Sequence, residues 1–455
     1  MANATILYWN IENFTLNKIT DANPPPDADF DYDGEGQGPE RLEFIMDMIA
    51  GGLRANGAAL IPDFIVIVEV ERGTTNNRMG YYVNQNPRTA LLQLHGAITE
   101  RLDDGTNDWQ MVPPIVLGRG GKGEGIAVFY NSYKWYFLGP DRANGLYSYP
   151  QEYDGSLRNR VIPGNYGIQI NRGQREDRLR GQWQFKQDNM YIRFPGRRDR
   201  VPWLTYFGSI NAPYTLVRLL GFHSSPNNAT QGVPQIARIR KMMNNQIEGN
   251  AQRQIDVLVG DFNVDNFDDD NFESGPYANF VDGNFAQNPA NPPYTALIRP
   301  PANIDGVYNG YFQTEAKPLH SCLIEFGDAP IGRYPGYSYL KASIDNAFVR
   351  HLGFGGPIPP PNMTIINRAV QTPFAWPPAP PPAPPHPLPQ PYPPAGVFRY
   401  PDAGGQPGPA MDETIANLIA EADGTDFDAN AAFKEWQNFG RLRSTSDHFP
   451  LVFDV

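Results

Sequence analysis

Ile255-Asp256-Val257-Leu258-Val259-Gly260-Asp261-Phe262-Asn263 is the stretch on which the reading of this chain turns. Ile255–Gly260 has the composition and length of a buried strand. It runs directly into a carboxylate, Asp261, and a carboxamide, Asn263. The same construction recurs along the chain. Asn10 lies in the apolar run Ile6–Ile11. Glu69 follows Asp63–Val68, and Glu124 stands ahead of Gly125–Tyr130. His223 follows the run Thr215–Phe222, Asp345 opens the run Ile344–Val349, and Asp447-His448 precede the terminal run Pro450–Val455. Taken singly each is weak, because a strand-end Asp more often closes a turn or caps a helix. Together their oxygen atoms suit a hard cation such as Mg²⁺, Mn²⁺ or Ca²⁺.

Outward from these runs the pattern is α/β. The first strand is followed by a Pro-, Asp- and Gly-rich loop at Asp21–Gly38 and by a helical pattern opening at Pro39, with Leu42, Ile45, Met46 and Ile49 on one face. The buried run at Asp63–Val68 comes next, so strand, helix and strand follow in order. Further strand-like runs lie at Gly125–Tyr130, Lys134–Leu138, Leu204–Phe207 and Thr215–Phe222, and a second helix is expected over Gln231–Gln246. The succession lacks strict βαβ alternation and fits two packed sheets flanked by helices better than a doubly wound sheet. From Pro357 to Pro409 there are 20 prolines in 53 residues. Proline removes amide donors and fixes φ, so the tract reads as an extended surface loop or linker, with docking of a proline-binding protein partner as the sharper reading. Residues 411–439 read as a short helical pair.

The chain has 455 residues, 40% of them hydrophobic and 12% aromatic, enough for a sizeable core and against wholesale disorder. No run approaches the ~20 apolar residues of a transmembrane helix. No basic segment followed by an apolar one opens the chain, and Cys322 is the only cysteine, so an internal disulfide is excluded. A cytoplasmic location is favoured on these grounds and an extracellular one is left open. With 37 basic and 49 acidic residues the net charge is −12, which argues against a generic polyanion binder. The segment 157–200 departs from this: eleven basic residues against four acidic ones make it +7.

In order along the chain, Trp9-Asn10-Ile11, Val68-Glu69-Val70, Gly123-Glu124-Gly125, Gly221-Phe222-His223-Ser224, Gly260-Asp261-Phe262-Asn263, Ser343-Ile344-Asp345-Asn346 and Ser446-Asp447-His448-Phe449-Pro450 resemble the motifs of the endonuclease/exonuclease/phosphatase (DNase I-like) superfamily. The resemblance spans the chain from residue 5 to residue 455. It implies a four-layer αββα sandwich with long loop insertions: one domain over 1–455, a basic insertion at 157–200 and a proline-rich insertion or surface loop at 355–410. It also implies hydrolysis of a phosphate ester with a divalent cation, Mg²⁺ or Mn²⁺ with Ca²⁺ as a further candidate, at the strand ends of one edge.

Carried over residue by residue, the resemblance makes Asn10, Glu69 and Asp447 the metal-side residues. Asp261 and Asn263 would contact the scissile phosphate and the attacking water. His223 would pair with Glu124, and His448 with Asp345. A phosphodiester repels hydroxide until its charge is neutralised, and the charge that grows on its equatorial oxygens needs cationic or amide donors. An imidazole paired with a carboxylate has its tautomer fixed and its protonated form favoured. Two departures stand out: Val68 replaces the usual Gln before the metal-side Glu, and Asn346 replaces the usual His, Arg or Tyr after Asp345.

The basic insertion, with Trp183, Phe185, Tyr191, Phe194 and Trp203 among its arginines, suits phosphate backbones and stacked bases. On that reading Arg175, Arg178, Arg180, Arg197 and Arg198 bind substrate. A nuclease acting on DNA is therefore the favoured function. The alternative is a phosphatase or phospholipase C-type enzyme acting on a phosphorylated lipid, inositol phosphate or nucleotide. A non-catalytic binding module fits less well, because every catalytic position is occupied. The sequence does not set the oligomeric state.

Overall fold

A computed structural model of the chain describes residues 4–20, 39–50, 52–53, 59–74, 83–103, 105, 108–112, 114–118, 123–139, 184–187, 190–194, 200–243, 245–266, 270–281, 293–298, 324–326, 329–332, 344–355, 363–365, 399–401, 407–410, 446, 448 and 450–455. In chain order its two large sheets are built from β1 (Thr5–Phe14), β2 (Phe64–Glu71), β3 (Trp109–Val112), β4 (Glu124–Asn131), β5 (Trp135–Gly139), β6 (Trp203–Ser209), β7 (Thr215–His223), β8 (Arg253–Asp261), β9 (Thr295–Ala296), β10 (Asp345–Leu352), β11 (Met363–Ile365) and β12 (Leu451–Asp454). The first sheet has the order β11-β12-β1-β2-β4-β3 and the second β9-β10-β8-β7-β6-β5.

Each sheet contains one parallel pair flanked by antiparallel strands. In the first, β1 and β2 run parallel, with antiparallel β12 beside β1 and antiparallel β4 beside β2. In the second, β7 runs parallel to β8 between antiparallel β6 and β10. A parallel strand ends on the edge where its antiparallel neighbour begins. The ends of β1, β2, β7 and β8 therefore share an edge with the starts of β4, β10 and β12.

The central strands are apolar because they are covered on both faces. Phe64 through Val68 and all of β7 are buried. The sheets meet face to face, with Phe207 of the second sheet against Phe64 (ring centroids 4.8 Å apart) and Tyr130 (5.2 Å) of the first. Gly221 lets them close: a Cβ there would stand 3.1 Å from the Ile126 side chain. Helices α1 (Leu16–Thr20), α2 (Pro39–Ala50) and α3 (Gln85–Leu102) cover the outside of the first sheet. The helix α3 is absent from the sequence expectations. Its buried stripe, Ala90, Leu91, Leu94, Ile98 and Leu102, carries the three- and four-residue spacing that marks it.

The outside of the second sheet differs from expectation. Instead of one helix over 231–246, the structure has α4 (Ala229–Gly232), a 3₁₀ segment at Val233–Arg238, and α5 (Arg240–Met243). Pro234 supplies no amide and cannot continue α4, so the chain restarts in a tighter turn. Val233, Ile236, Ile239 and Met242 still face the core. Two further single turns, α6 (Asp270–Glu273) and α7 (Ala278–Val281), follow β8. Helices, sheet, sheet and helices make the expected four layers.

Under α5 lies a buried ion cluster. Arg218, Asp256 and Arg350 are cross-strand neighbours on β7, β8 and β10. Arg218 donates Nε and Nη2 to the two oxygens of Asp256 at 2.6 and 2.8 Å. Arg350 donates to Asp256 Oδ2 and to the carbonyl of Met242, each at 2.6 Å, and stacks over Tyr294. The cluster ties α5 to the sheet far along the strands from Asp261.

In the basic segment, Gln184–Gln187 and Met190–Arg193 pair as a hairpin. Phe194 and Trp203 are core residues, Phe194 packing on Phe222, so they are not free to stack on bases. In the proline-rich region the proline-free stretch at Met363–Ile365 forms edge strand β11, as proline's missing amide requires. The helical pair expected at 411–439, Cys322 and most of the proline tract lie outside the described residues.

Candidate active site

Seven of the predicted strand-end residues meet at the shared edge, joined by Asn263 just beyond the end of β8. Across three adjacent strands of the second sheet, His223, Asp261 and Asp345 stand in direct register. From the first sheet, Asn10 reaches over and donates Nδ2 to Asp261 Oδ2 at 3.2 Å and to Glu69 Oε1 at 3.3 Å. Asp261 Oδ1 accepts the main-chain amide of Asn263 at 2.9 Å, and Asn263 Nδ2 donates to the Ser224 carbonyl. One ligand atom each from Glu69, His223 and Asp261 lies within 4.8 Å of the others, and the same holds for Asp261, Asp345 and His448. Asp261 is common to both groups.

Both expected imidazole–carboxylate pairs are formed. His223 Nδ1 lies 2.7 Å from Glu124 Oε2, and His448 Nδ1 lies 2.7 Å from Asp345 Oδ2. The His223 pair departs from expectation in charge. Burial pushes the His223 pKa down to about 3, the Arg200 guanidinium adds to the effect, and Glu69 opposes it. Arg200 donates to His223 Nε2, to Glu124 and to the Ser224 carbonyl. His223 is thus neutral, with Nδ1–H given to Glu124 and Nε2 accepting. Desolvation and a neighbouring cation outweigh the carboxylate that would have favoured the imidazolium.

Two site residues hold unusual backbone. Glu69 has φ of 60° and Asn263 of 52°, both in the left-handed region. Such conformations cost side-chain-bearing residues free energy and persist where the surroundings impose them. At Glu69 the pairing register of β2 shifts against both neighbours, a bulge that redirects the carboxylate. Glu69 Oε2 accepts the amide of Asn13, itself at φ of 50°.

The charge balance is lopsided. Glu69, Glu124, Asp261 and Asp345 supply four carboxylates against the guanidinium of Arg200 and two imidazoles. Asn10 Oδ1 is buried with no hydrogen-bond partner among the described residues. An orphaned carbonyl oxygen beside surplus carboxylates fits a hard divalent cation, which takes oxygen ligands and offsets the negative charge. Asn10 and Glu69 are the described residues that fit it, with Asp261 beside them.

Asn10, Glu69, Glu124, His223, Asp261, Asn263, Asp345 and His448 are therefore brought together. Asp447, Arg175, Arg178, Arg180, Arg197 and Arg198 lie outside the described residues. Arg200, one of the eleven basic residues of its segment, had no signal to single it out. Ser446 was likewise not singled out: it donates to the Asn10 carbonyl and accepts the His448 amide at 3.0 Å. Asn346 is buried and does not face the site. Its amide binds the Ile298 backbone in both directions, at 3.0 and 2.8 Å, and Asn266 at 2.9 Å.

No protein-family model and no curated protein matches the chain. Among solved structures, the chain is similar to zebrafish (D. rerio) TDP2 complexed with a single-strand DNA product, at 10% identity and a TM-score of 0.35, covering 100% of this chain and 99% of that one. It is similar to an endonuclease/exonuclease/phosphatase family protein of Bacteroides thetaiotaomicron at 12% identity and a TM-score of 0.36, covering 100% and 94%. It is also similar to a mannosyl-6-phosphatase of B. thetaiotaomicron VPI-5482 at 12% identity and a TM-score of 0.37, covering 99% of each chain.

Proposed function

We propose that this chain is a divalent-cation-dependent phosphoesterase of the endonuclease/exonuclease/phosphatase type. The observation that carries the reading is the pocket where two sheets contribute four carboxylates, two carboxylate-held imidazoles and the orphaned Asn10 Oδ1. Its negative charge would repel a phosphate ester, so an anionic substrate needs a cation there first. Asn10 and Glu69, with Asp447 as a further candidate, would hold Mg²⁺ or Mn²⁺. Bound there, the ion would neutralise the phosphate and polarise the phosphoryl oxygen.

The chain's own groups supply the rest. Asp261, its carboxylate fixed by Asn10 and the Asn263 amide, accepts the proton of the attacking water. The Asn263 amide is turned toward the Ser224 carbonyl and helps hold the loop that orients that water. His448, held through Nδ1 by Asp345, presents Nε2 3.8 Å from Asp261 Oδ2 and donates to the developing oxyanion, while the bond from phosphorus to the leaving oxygen breaks and that oxygen takes a proton from solvent. Neutral His223 holds Arg200, whose guanidinium faces the same edge and can take up a phosphoryl oxygen.

DNA is the favoured substrate, supported by the positive balance of residues 157–200 in an otherwise acidic chain. The test is nicking of supercoiled plasmid with Mg²⁺ or Mn²⁺, with EDTA as control, beside release of phosphate from sugar, inositol and nucleotide phosphates. Cation-dependent nicking supports the nuclease reading. Inert DNA with phosphate release moves the assignment to a phosphatase. No hydrolysis of either class by folded protein contradicts the phosphoesterase reading itself.

A further inference from the structure

We propose that Tyr8 is a positioning residue of this site, holding the His448 side of the pocket through Asp345; the inference rests on the phosphoesterase reading for its catalytic consequence. Tyr8 sits among Ile6, Leu7 and Trp9 on β1 and is wholly buried between the sheets. A buried hydroxyl left without a partner is costly. Here the phenol has one: it donates to Asp345 Oδ1 at 2.8 Å, while Asp345 Oδ2 takes His448 Nδ1 at 2.7 Å. The Asp345 carbonyl accepts Asn266 Nδ2 at 2.7 Å.

A carboxylate bound through one oxygen can turn about its Cβ–Cγ bond and carry its imidazole partner with it. Binding the second oxygen fixes the carboxylate plane, and with it the direction in which His448 Nε2 points. The bond also crosses the molecule, since Tyr8 belongs to the first sheet, His448 stands just ahead of its strand β12, and Asp345 belongs to the second. Three consecutive residues of β1 thereby address the site. Tyr8 holds Asp345, Trp9 donates Nε1 to the His448 carbonyl at 2.8 Å, and Asn10 bridges Glu69 and Asp261. Alternation along the strand puts Tyr8 and Asn10 on the face toward the second sheet.

Tyr8→Phe removes the hydroxyl and keeps the ring. Two readouts apply: hydrolysis of bis-p-nitrophenyl phosphate with Mn²⁺, and the downfield Nδ1 proton resonance of His448 in the metal-free protein. The expected result is kcat lower by about 10- to 100-fold with KM unchanged, together with a shifted or exchange-broadened His448 resonance. A kcat within twofold of wild type overturns the inference, as does a loss confined to KM. If wild type does not turn over this probe, the phosphoesterase reading is what fails, and the resonance alone decides the positioning role: displaced in Tyr8→Phe it supports the role, unchanged it overturns it. Should Tyr8→Phe not fold, 3-fluorotyrosine at position 8 keeps packing while changing the donor strength, and the same resonance decides in the same way.

Discussion

A methyl group on Gly260 would lie 1.8 Å from the carbonyl oxygen of Phe222, the neighbouring position on the parallel strand β7. The residue before Asp261 must therefore have no side chain if β7 and β8 are to deliver His223 and Asp261 in register. Gly260→Ala is expected to destabilise the fold by about 3 kcal/mol, at the upper end of overpacking effects, as read from denaturant unfolding. Glu69 poses the opposite case, a side chain kept where glycine would be more comfortable. Glu69→Gly is expected to leave stability within about 1 kcal/mol of wild type, since relieved left-handed strain offsets glycine's entropy, while hydrolysis is lost. A large fall in Tm would show that Glu69 serves the fold rather than the chemistry. For His448→Ala the expected loss is about 10²- to 10⁴-fold in kcat with the Tm little changed.

At the scale of elements, strand ends were the legible feature. An apolar run that stops on Asp, Glu, Asn or His reads plainly in sequence, and pairing rules bring such ends to one edge. Elements whose definition depends on partners were not legible. The helix α3 has a polar surround that blurs its apolar stripe. The expected helix at 231–246 looked continuous, because the apolar residues Val233, Ile236 and Ile239 recur three apart across the break at Pro234. Arg200 carries no mark in sequence to set it apart from Arg193 or Arg198; only the fold lays it against Glu124 and His223. Asp256 was equally silent, an acid inside an apolar strand whose two arginines lie 38 and 94 residues away. Removing it takes the shared carboxylate from both buried guanidiniums and leaves Arg218 with Glu248 at 3.6 Å. Asp256→Ala is expected to cost about 3–5 kcal/mol, measured by denaturant unfolding. A cost under about 1 kcal/mol would mean that solvent reaches the cluster.

Across the whole molecule, the two sheets repeat one plan, and the pocket forms only where both plans are brought edge to edge. Neither sheet alone assembles it: Asn10, Glu69, Glu124 and His448 come from one, and His223, Asp261 and Asp345 from the other. Binding of a cation to this seam should hold the sheets together. At 100 times its dissociation constant such an ion adds about 2.7 kcal/mol to stability, so Mn²⁺ is expected to raise the Tm of wild type and not of Glu69→Ala. Anomalous diffraction from a crystal soaked in Mn²⁺ locates the ion. The expected result is a peak at the shared edge, bonded to the Glu69 carboxylate and to Asn10 Oδ1 at about 2.1 Å, a typical distance for a small hard cation. An ordered pocket with no peak there, while Mn²⁺ binds elsewhere on the same molecule, would contradict it.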